Sequence, residues 1–502
     1  MFGATFQVLT VLVYTFVLLI GLGLLVLAIL FIKDVSQTSN AIRRNFPVIG
    51  RFRGLFERLG EFFRQYFFAM DREELPFNRA ERSWVDRASL GTDNTIAFGS
   101  TRDLRPVGTV IFVNCAYPVL ERDVVEPEPV TLGPYCPHPY TASSLFNISG
   151  MSYGAISRPA TLALSSGAHM AGCWLNTGEG GLSPHHLAGG ADIVFQMGTA
   201  KYGVCEVPGK LSEEKLRDVA AHDQVKMFEI KLSQGAKPGK GGILPAVKVT
   251  EEIAAIRGIP VGQDSLSPNR HLEVDSAADL LDLVGRVRSI AGKPTGFKSV
   301  IGAYGWLDEL FEEILARGIE SAPDFIAVDS GDGGTGAAPM PLMDNVGLPI
   351  RESLPLMVDR LDAHGLRERI KVIASGKLVT PAEAAWAYCA GADFVVSARG
   401  FMFALGCIQA LQCNRNTCPT GVTTHNKRLQ RGLNPENKAM RVNQYARQMS
   451  KEIEIIAHSC GVREPRRLRR HHCRIVTETG RSTPLDELYP SVAPKPEPAA
   501  AG

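Results

Sequence analysis

The sequence predicts an α/β protein: a parallel (β/α)8 barrel of the TIM type, with an N-terminal transmembrane helix and a C-terminal helical extension. Three observations predict it. Eight short apolar runs, each closed by Gly or small polar residues, are spread over residues 145–396. Helical periodicity fills most of the intervals, and strand–helix alternation repeated eight times points to a closed barrel rather than an open sheet. Residues 1–32 carry no charge.

Taken in order, Val8–Ile32 is interrupted only by Thr10, Thr15, Gly21 and Gly23. At about 1.5 Å per residue it reaches roughly 37 Å, enough to cross a bilayer. A cleaved signal peptide has a basic start, a shorter apolar stretch and a small-residue cleavage site. None is present, so residues 1–33 are expected to be an uncleaved anchor. Lys33, Arg43, Arg44, Arg51, Arg53, Arg58 and Arg64 stand against Asp34, Glu57 and Glu61. The positive-inside rule then gives a single-pass protein of the inner (cytoplasmic) membrane with its catalytic domain in the cytoplasm. Within the linker 34–105, Leu55, Phe56, Leu59, Phe62, Phe63, Tyr66 and Phe67 recur at helical spacing among Arg53, Glu57, Arg58, Glu61 and Arg64. Such a segment suits a lipid interface or docking on a globular body equally.

The barrel is expected over 106–461. Its strands fall at Leu145–Ser149, Cys173–Asn176, Ile193–Met197, Phe228–Leu232, Gly296–Val300, Phe325–Asp329, Lys371–Ala374 and Phe394–Val396. Helices are expected at Ala277–Ile290, Leu307–Arg317 and Pro381–Ala390, with a closing helix over Glu436–Ala457. In the final segment, 462–502, the basic run Arg463–Arg474 reads as a solvated or lipid-facing surface, and the Pro/Ala-rich residues 493–502 as disordered.

Composition narrows the function. Lys+Arg 54 against Asp+Glu 52 leaves +2, which excludes nucleic-acid binding through bulk charge. Ten cysteines in 502 residues are too sparse for a disulfide scaffold. Three of them cluster as C-x5-C-x4-C-P: Cys407, Cys413 and Cys418. Three thiolates from one loop suit a soft polynuclear site such as an iron–sulfur cluster. Structural zinc would need a fourth ligand, for which His425 is the nearby candidate. The other seven read as small hydrophobes. Gly-rich loops after the late strands, Ala374-Ser375-Gly376-Lys377 and Ser397-Ala398-Arg399-Gly400, offer backbone N–H groups to a phosphate.

The cysteine spacing, together with GMSYGAIS (150–157), NTGEGG (176–181), EIKLSQGAKPGKGG (229–242) and DGGTGAAP (332–339), resembles the FMN-binding synthase domain of glutamate synthase from about Pro106 to Gly461. The resemblance implies a barrel holding FMN and a 3Fe–4S cluster ligated by Cys407, Cys413 and Cys418. In that family ammonia and 2-oxoglutarate give 2-iminoglutarate, which reduced flavin converts to L-glutamate. Carried onto this chain, it puts Met151, Ser152, Gly154, Asn176, Lys298, Gly333, Gly334, Ser375, Gly376, Ala398 and Arg399 at the flavin. It puts Gln234, Lys237 and Arg257 at the oxo acid, and gives Glu179, Lys298 and Lys237 catalytic parts. An ammonium and a guanidinium are natural carboxylate partners; a helix-surface charge is the competing reading of Arg257.

Two departures bear on substrate. Where the family has KPGEGGQLPG, this chain has KPGKGGILPA, so Lys240 replaces an acid and Ile243 an amide. A site that loses a polar contact takes a different or less polar substrate. The apolar N-terminus stands where the family's glutaminase nucleophile would be, so nitrogen is expected from free ammonia, an amine or a partner amidotransferase. No G-x-G-x-x-G follows a strand, so electrons are expected from a ferredoxin or an NAD(P)H-reductase subunit. The competing readings are an FMN oxidoreductase acting on another substrate and a membrane redox scaffold without turnover. The sequence leaves a homo-oligomer open.

Overall fold

The computed structural model describes residues 2–492; the expected disordered tail, 493–502, lies outside the described residues. The chain divides into two compact units between Glu81 and Arg82.

In the first unit, helix Phe2–Ser36 contains a 32-residue stretch, Thr5–Ser36, long and apolar enough to cross a membrane, with none of its most apolar window buried. A membrane span and a signal sequence both meet that description. Helix Gly50–Phe63 follows, extended by a π-helical turn over Arg64–Phe68.

In the second unit, eight parallel strands close into a barrel. They are β1 (Phe146–Ile148), β2 (Leu175–Asn176), β3 (Ile193–Met197), β4 (Val225–Lys231), β5 (Thr295–Val300), β6 (Phe325–Asp329), β7 (Lys371–Ser375) and β8 (Phe394–Ser397). Each strand pairs with its neighbours in chain order, and the closing pair joins Val395 of β8 to Phe146 of β1. Every expected strand is present. Parallel strands covered on both faces are mostly apolar, and the buried polar residues they carry, such as Gln196, Glu229, Lys231, Lys298 and Asp329, sit mainly toward the strand C-termini. Helices Ala277–Ala291, Gly305–Arg317 and Pro381–Cys389 lie where periodicity put them.

The lower barrel is filled by Trp174, Val194, Met227, Phe325, Ala327, Ile373, Phe394 and Val396. A hairpin, Val130–Leu132 with Tyr140–Ala142, pushes Leu132 and Ala142 into the same cluster. It plugs the end opposite the strand C-termini and leaves the other end for ligands.

The closing helix, Pro435–Ser459, packs on helix Arg158–Ala171 through a small-residue contact. A Cβ added at Gly167 would lie 2.5 Å from Val442 Cβ and 2.7 Å from the Ala439 carbonyl. Because a backbone oxygen cannot yield like a side chain, Gly167→Ala is expected to destabilise the fold by about 1–3 kcal/mol, seen as a lower melting temperature.

Parts of the basic run Arg463–Arg474 are not the expected solvated surface. The Arg466 side chain is only 8% exposed. Its guanidinium donates to the carbonyls of Asp393 (2.8 Å), Glu128 (3.0 Å), Ser143 (3.1 Å) and Ser144 (2.9 Å). Arg470 donates to Asp359 at 2.5 Å, and Cys473–Val476 pairs antiparallel with Val110–Phe112. Arg463, Arg467 and Arg469 remain exposed. Two of the scattered cysteines also meet, Cys389 lying beside Cys473 with Cys460 near them.

Candidate active site

The strand C-termini surround a cavity that takes in about 1200 Å³ when the space at its solvent-open mouth is counted. Sequence-derived residues lining it are Met151, Ser152, Glu179, Gln234, Lys237, Arg257, Lys298, Gly334, Ser375, Gly376, Ala398, Arg399 and Cys413. Gly154, Asn176 and Gly333 stand just behind the wall. Asn176 donates to Glu229 at 3.0 Å and accepts from Gly178 N–H at 3.0 Å. Gly154 packs on the Arg257 guanidinium, and Gly333 on Gly235.

One group of charges centres on Glu179, which is carried on the loop after β2. The Lys231 ammonium, at the end of β4, lies 3.0 Å from the Glu179 carboxylate and donates to Gln234 Oε1 at 2.5 Å. Burial by itself would raise the Glu179 carboxyl. The ammoniums of Lys231 and Lys237 and the Arg257 guanidinium more than offset it and hold the group at about 2. Burial, reinforced by Lys231, lowers the Lys237 ammonium to about 8. Arg257 is 4% exposed, donates to Ser265 Oγ at 3.1 Å and lies over the Tyr202 ring. It is a buried cation and not a helix-surface charge.

A second group centres on Lys298 of β5, which is 4.0 Å from Glu229 and 3.9 Å from Asp329. Gln196 donates to Glu229 at 2.6 Å. Ser375 Oγ and the Gly235 N–H hold Asp329 at 3.1 and 3.0 Å. In all, four interior cations (Lys231, Lys237, Arg257, Lys298) face three carboxylates (Glu179, Glu229, Asp329).

At the opposite wall, Gly376 has φ +120°, and a Cβ there would lie 2.2 Å from Ser330 Cβ. Lys377 also has positive φ, at 53°, a strain kept where surroundings over-determine it. Its ammonium reaches Asp332 at 3.0 Å. A Cβ at Gly334 would meet the Arg399 side chain at 2.9 Å. Glycines whose side chains would fill the cavity wall, with Lys377 and Arg399 beside them, fit a phosphate-bearing cofactor.

Lys240 is not part of this site. Gly239 turns the chain with φ +78° and leaves Lys240 exposed, away from the cavity lining. Ile243 does line it, on a two-residue strand paired with Ser265–Leu266.

The cysteine loop runs along the site's edge. Cys407, Cys413 and Cys418 are free thiols close enough to feel one another's charge. Yet among the described residues no group of three or more His, Cys, Asp or Glu is gathered to hold a metal ion. No chemical step is derived through a cluster at these thiols. The His425 ring is engaged instead with the Gly154 carbonyl at 2.8 Å.

Residues that the sequence reading did not single out also line the cavity, among them Lys231, Gln196, Asp329 and Thr423. Lys231 stood inside the quoted EIKLSQGAKPG run, and its place at the C-terminal end of a barrel strand was the available signal.

A closed parallel barrel with a charged cavity at its strand C-termini defines an α/β-barrel enzyme. The conserved region in glutamate synthase matches residues 119–463, and the chain belongs to the glutamate synthase family. A glutamate synthase large subunit-like protein of Bacillus subtilis, YerD, is 38% identical, covering 94% of this chain and 96% of that protein. The archaeal glutamate synthase (NADPH) of Methanocaldococcus jannaschii is 35% identical over 65% of this chain and 61% of its own length. The archaeal-type enzyme of Thermotoga maritima is 33% identical over 62% of this chain and 59% of its own. The chain thus spans about three fifths of these two relatives. Among solved structures, mandelate oxidase with benzoyl-formic acid aligns at 15% identity over 73% of this chain and 87% of its own, with TM-score 0.44, and nothing is argued from it.

Proposed function

We propose that this chain is an FMN-dependent oxidoreductase of the glutamate synthase type. It reduces the imine formed from a 2-oxo acid and ammonia or an amine to an amino acid. Electrons come from a ferredoxin or an NAD(P)H-reductase subunit, and helix Phe2–Ser36 anchors the chain in the cytoplasmic membrane with the barrel in the cytoplasm. The observation carrying this reading is the charge array Glu179–Lys231–Lys237–Arg257 set in one cavity with Lys298 and Asp329, Glu229 lying 4.0 Å from Lys298.

Ser375, Gly376, Lys377, Ala398 and Arg399 would hold the FMN phosphate, with Met151, Ser152 and Lys298 along the rest of the cofactor. Bound FMN would supply hydride to the imine carbon. The chain's own residues bind and orient. The Lys237 ammonium has no side-chain hydrogen bond among the described residues and is a ready partner for the oxo-acid carboxylate. Glu179, kept anionic, accepts from an iminium N–H, and Lys231 fixes that carboxylate in place. The excess of cations over carboxylates lining the cavity favours an anionic substrate, and Ile243 favours a side chain less polar than that of 2-oxoglutarate.

Lys237 gives a pH dependence. With its ammonium lowered to about 8, it is charged below that pH and neutral above it. The kcat/KM for a 2-oxo acid is therefore expected to fall above about pH 8, approaching tenfold per pH unit; Lys237→Gln should flatten that limb.

The reading is tested by purifying the full chain in detergent. It should be yellow and release one FMN per chain on denaturation, and a folded, colourless protein would overturn it. On the C-x5-C-x4-C spacing we also propose a 3Fe–4S cluster. Anaerobic protein should then contain iron and labile sulfide, and Cys413→Ser should lose both while keeping flavin. Protease added outside intact cells should leave the barrel uncut.

A further inference from the structure

The turn after the membrane-length helix is built to a fixed angle. Asp34 sits in the last turn of that helix with its side chain 1% exposed. It accepts from Arg51 Nε at 2.8 Å, Arg51 Nη2 at 2.6 Å and the Val48 N–H at 3.0 Å. Val48 has φ +64°, a left-handed conformation that a β-branched residue holds only where its surroundings impose it. A bidentate pair and a strained residue together clamp helix Gly50–Phe63 to the end of the long helix.

The clamped helix has an apolar face with no cover. None of its residues is buried. Phe52 is 52%, Leu55 49%, Phe56 66% and Phe62 54% exposed, and beyond them Phe67 is 68% exposed. Neighbouring rings pack along the face, tilted against one another, Phe62 with Tyr66 at 4.8 Å and Phe63 with Phe67 at 5.6 Å. So much aromatic surface is not left in water without a purpose. Arg43, Arg44, Arg53, Arg58 and Arg64 flank it, with only Glu57 and Glu61 opposing.

We infer that helix Gly50–Phe63 and the turn Arg64–Phe68 form a foot lying flat in the anionic lipid surface at the base of the anchor. The aromatic face is sunk among the acyl chains and the arginines pair with headgroups. The inference rests on the membrane reading of the long helix. Three observations select lipid over protein as the occupant: continuity with a membrane-length helix, a clamp that sets the exit angle, and basic flanks beside aromatic residues, the pattern of interfacial helices.

The test uses the full chain carrying Phe56→Trp, reconstituted into phosphatidylcholine–phosphatidylglycerol vesicles with and without brominated acyl chains. Relative to the wild-type protein, the added tryptophan should emit at short wavelength and be quenched about twofold by brominated lipid. Arg53→Glu with Arg58→Glu in the same background should reduce that quenching. If the chain resists carbonate extraction but the new tryptophan is unquenched, whether red-shifted in water or blue-shifted under protein, the foot is overturned while the anchor stands. Release of the chain by carbonate would overturn the membrane reading itself, and the foot with it.

Discussion

Replacing Lys231 with Met is expected to cost about 3–5 kcal/mol of stability at neutral pH, because it leaves the Glu179 carboxylate buried without its nearest cation. It should also lower kcat/KM for imine reduction by roughly 10²- to 10³-fold, as an ion held in place by a preorganised partner loses that partner. The pH dependence has a definite sign. The Glu179 carboxyl is held at about 2 in the folded protein, below its unfolded value. The stability it contributes is present above the ordinary carboxylate range and is lost as pH falls through the folded value. In the Lys231→Met protein the carboxyl rises. The melting-temperature gap between the two proteins should therefore be wide at pH 7 and narrow steadily below about pH 4. Lys231 is itself lowered by burial. A gap that is constant from pH 7 to pH 3 would show that the two side chains are not coupled.

The second large effect concerns substrate. Ile243 lines the cavity and cannot hydrogen-bond. Placing a substrate polar group there without a partner costs about 1–3 kcal/mol, or roughly 5- to 150-fold in affinity. Any 2-oxoglutarate-dependent turnover is expected to be weak, and Ile243→Gln should raise its kcat/KM by a factor in that range. Lys240→Glu, which the sequence alone would have paired with it, should change little, since Lys240 is exposed and does not line the cavity. Efficient glutamate formation by the unmodified protein, unaffected or harmed by Ile243→Gln, would make ordinary glutamate synthesis the better reading.

The contrast between Ile243 and Lys240 shows where sequence reading works and where it stops. All eight barrel strands were legible because strands covered on both faces are mostly apolar and end in glycines or small polar residues. The cavity-lining motifs were legible because glycines and charged residues at strand ends mark the ligand face. Lys240 was misjudged because nearness in sequence to Lys237 says nothing of direction once Gly239 turns the chain at φ +78°. Lys231 drew no notice because a lysine after an apolar run looks like a strand end meeting water. Only the fold brings Glu179 and Gln234 to it. Arg466 is the same case in reverse: in a string of arginines it looks solvated, while four carbonyls from three distant segments cover its guanidinium.

That arginine has a consequence for where this protein can be cut. Asp393 immediately precedes β8, and Ser143 and Ser144 lie just before β1, so Arg466 bolts the seam at which the barrel's last strand returns to its first. The family-matching region ends at residue 463, three residues short of the bolt. A recombinant fragment trimmed to that homology boundary would leave four carbonyls without their donor at the one joint whose strands are farthest apart in sequence. A fragment ending after Tyr489 keeps the bolt, the Cys473–Val476 strand and the Tyr489 carbonyl that seats Arg470. The limits of evolutionary resemblance and the limits of autonomous folding therefore differ here, and the second should set the boundary of any expressed domain.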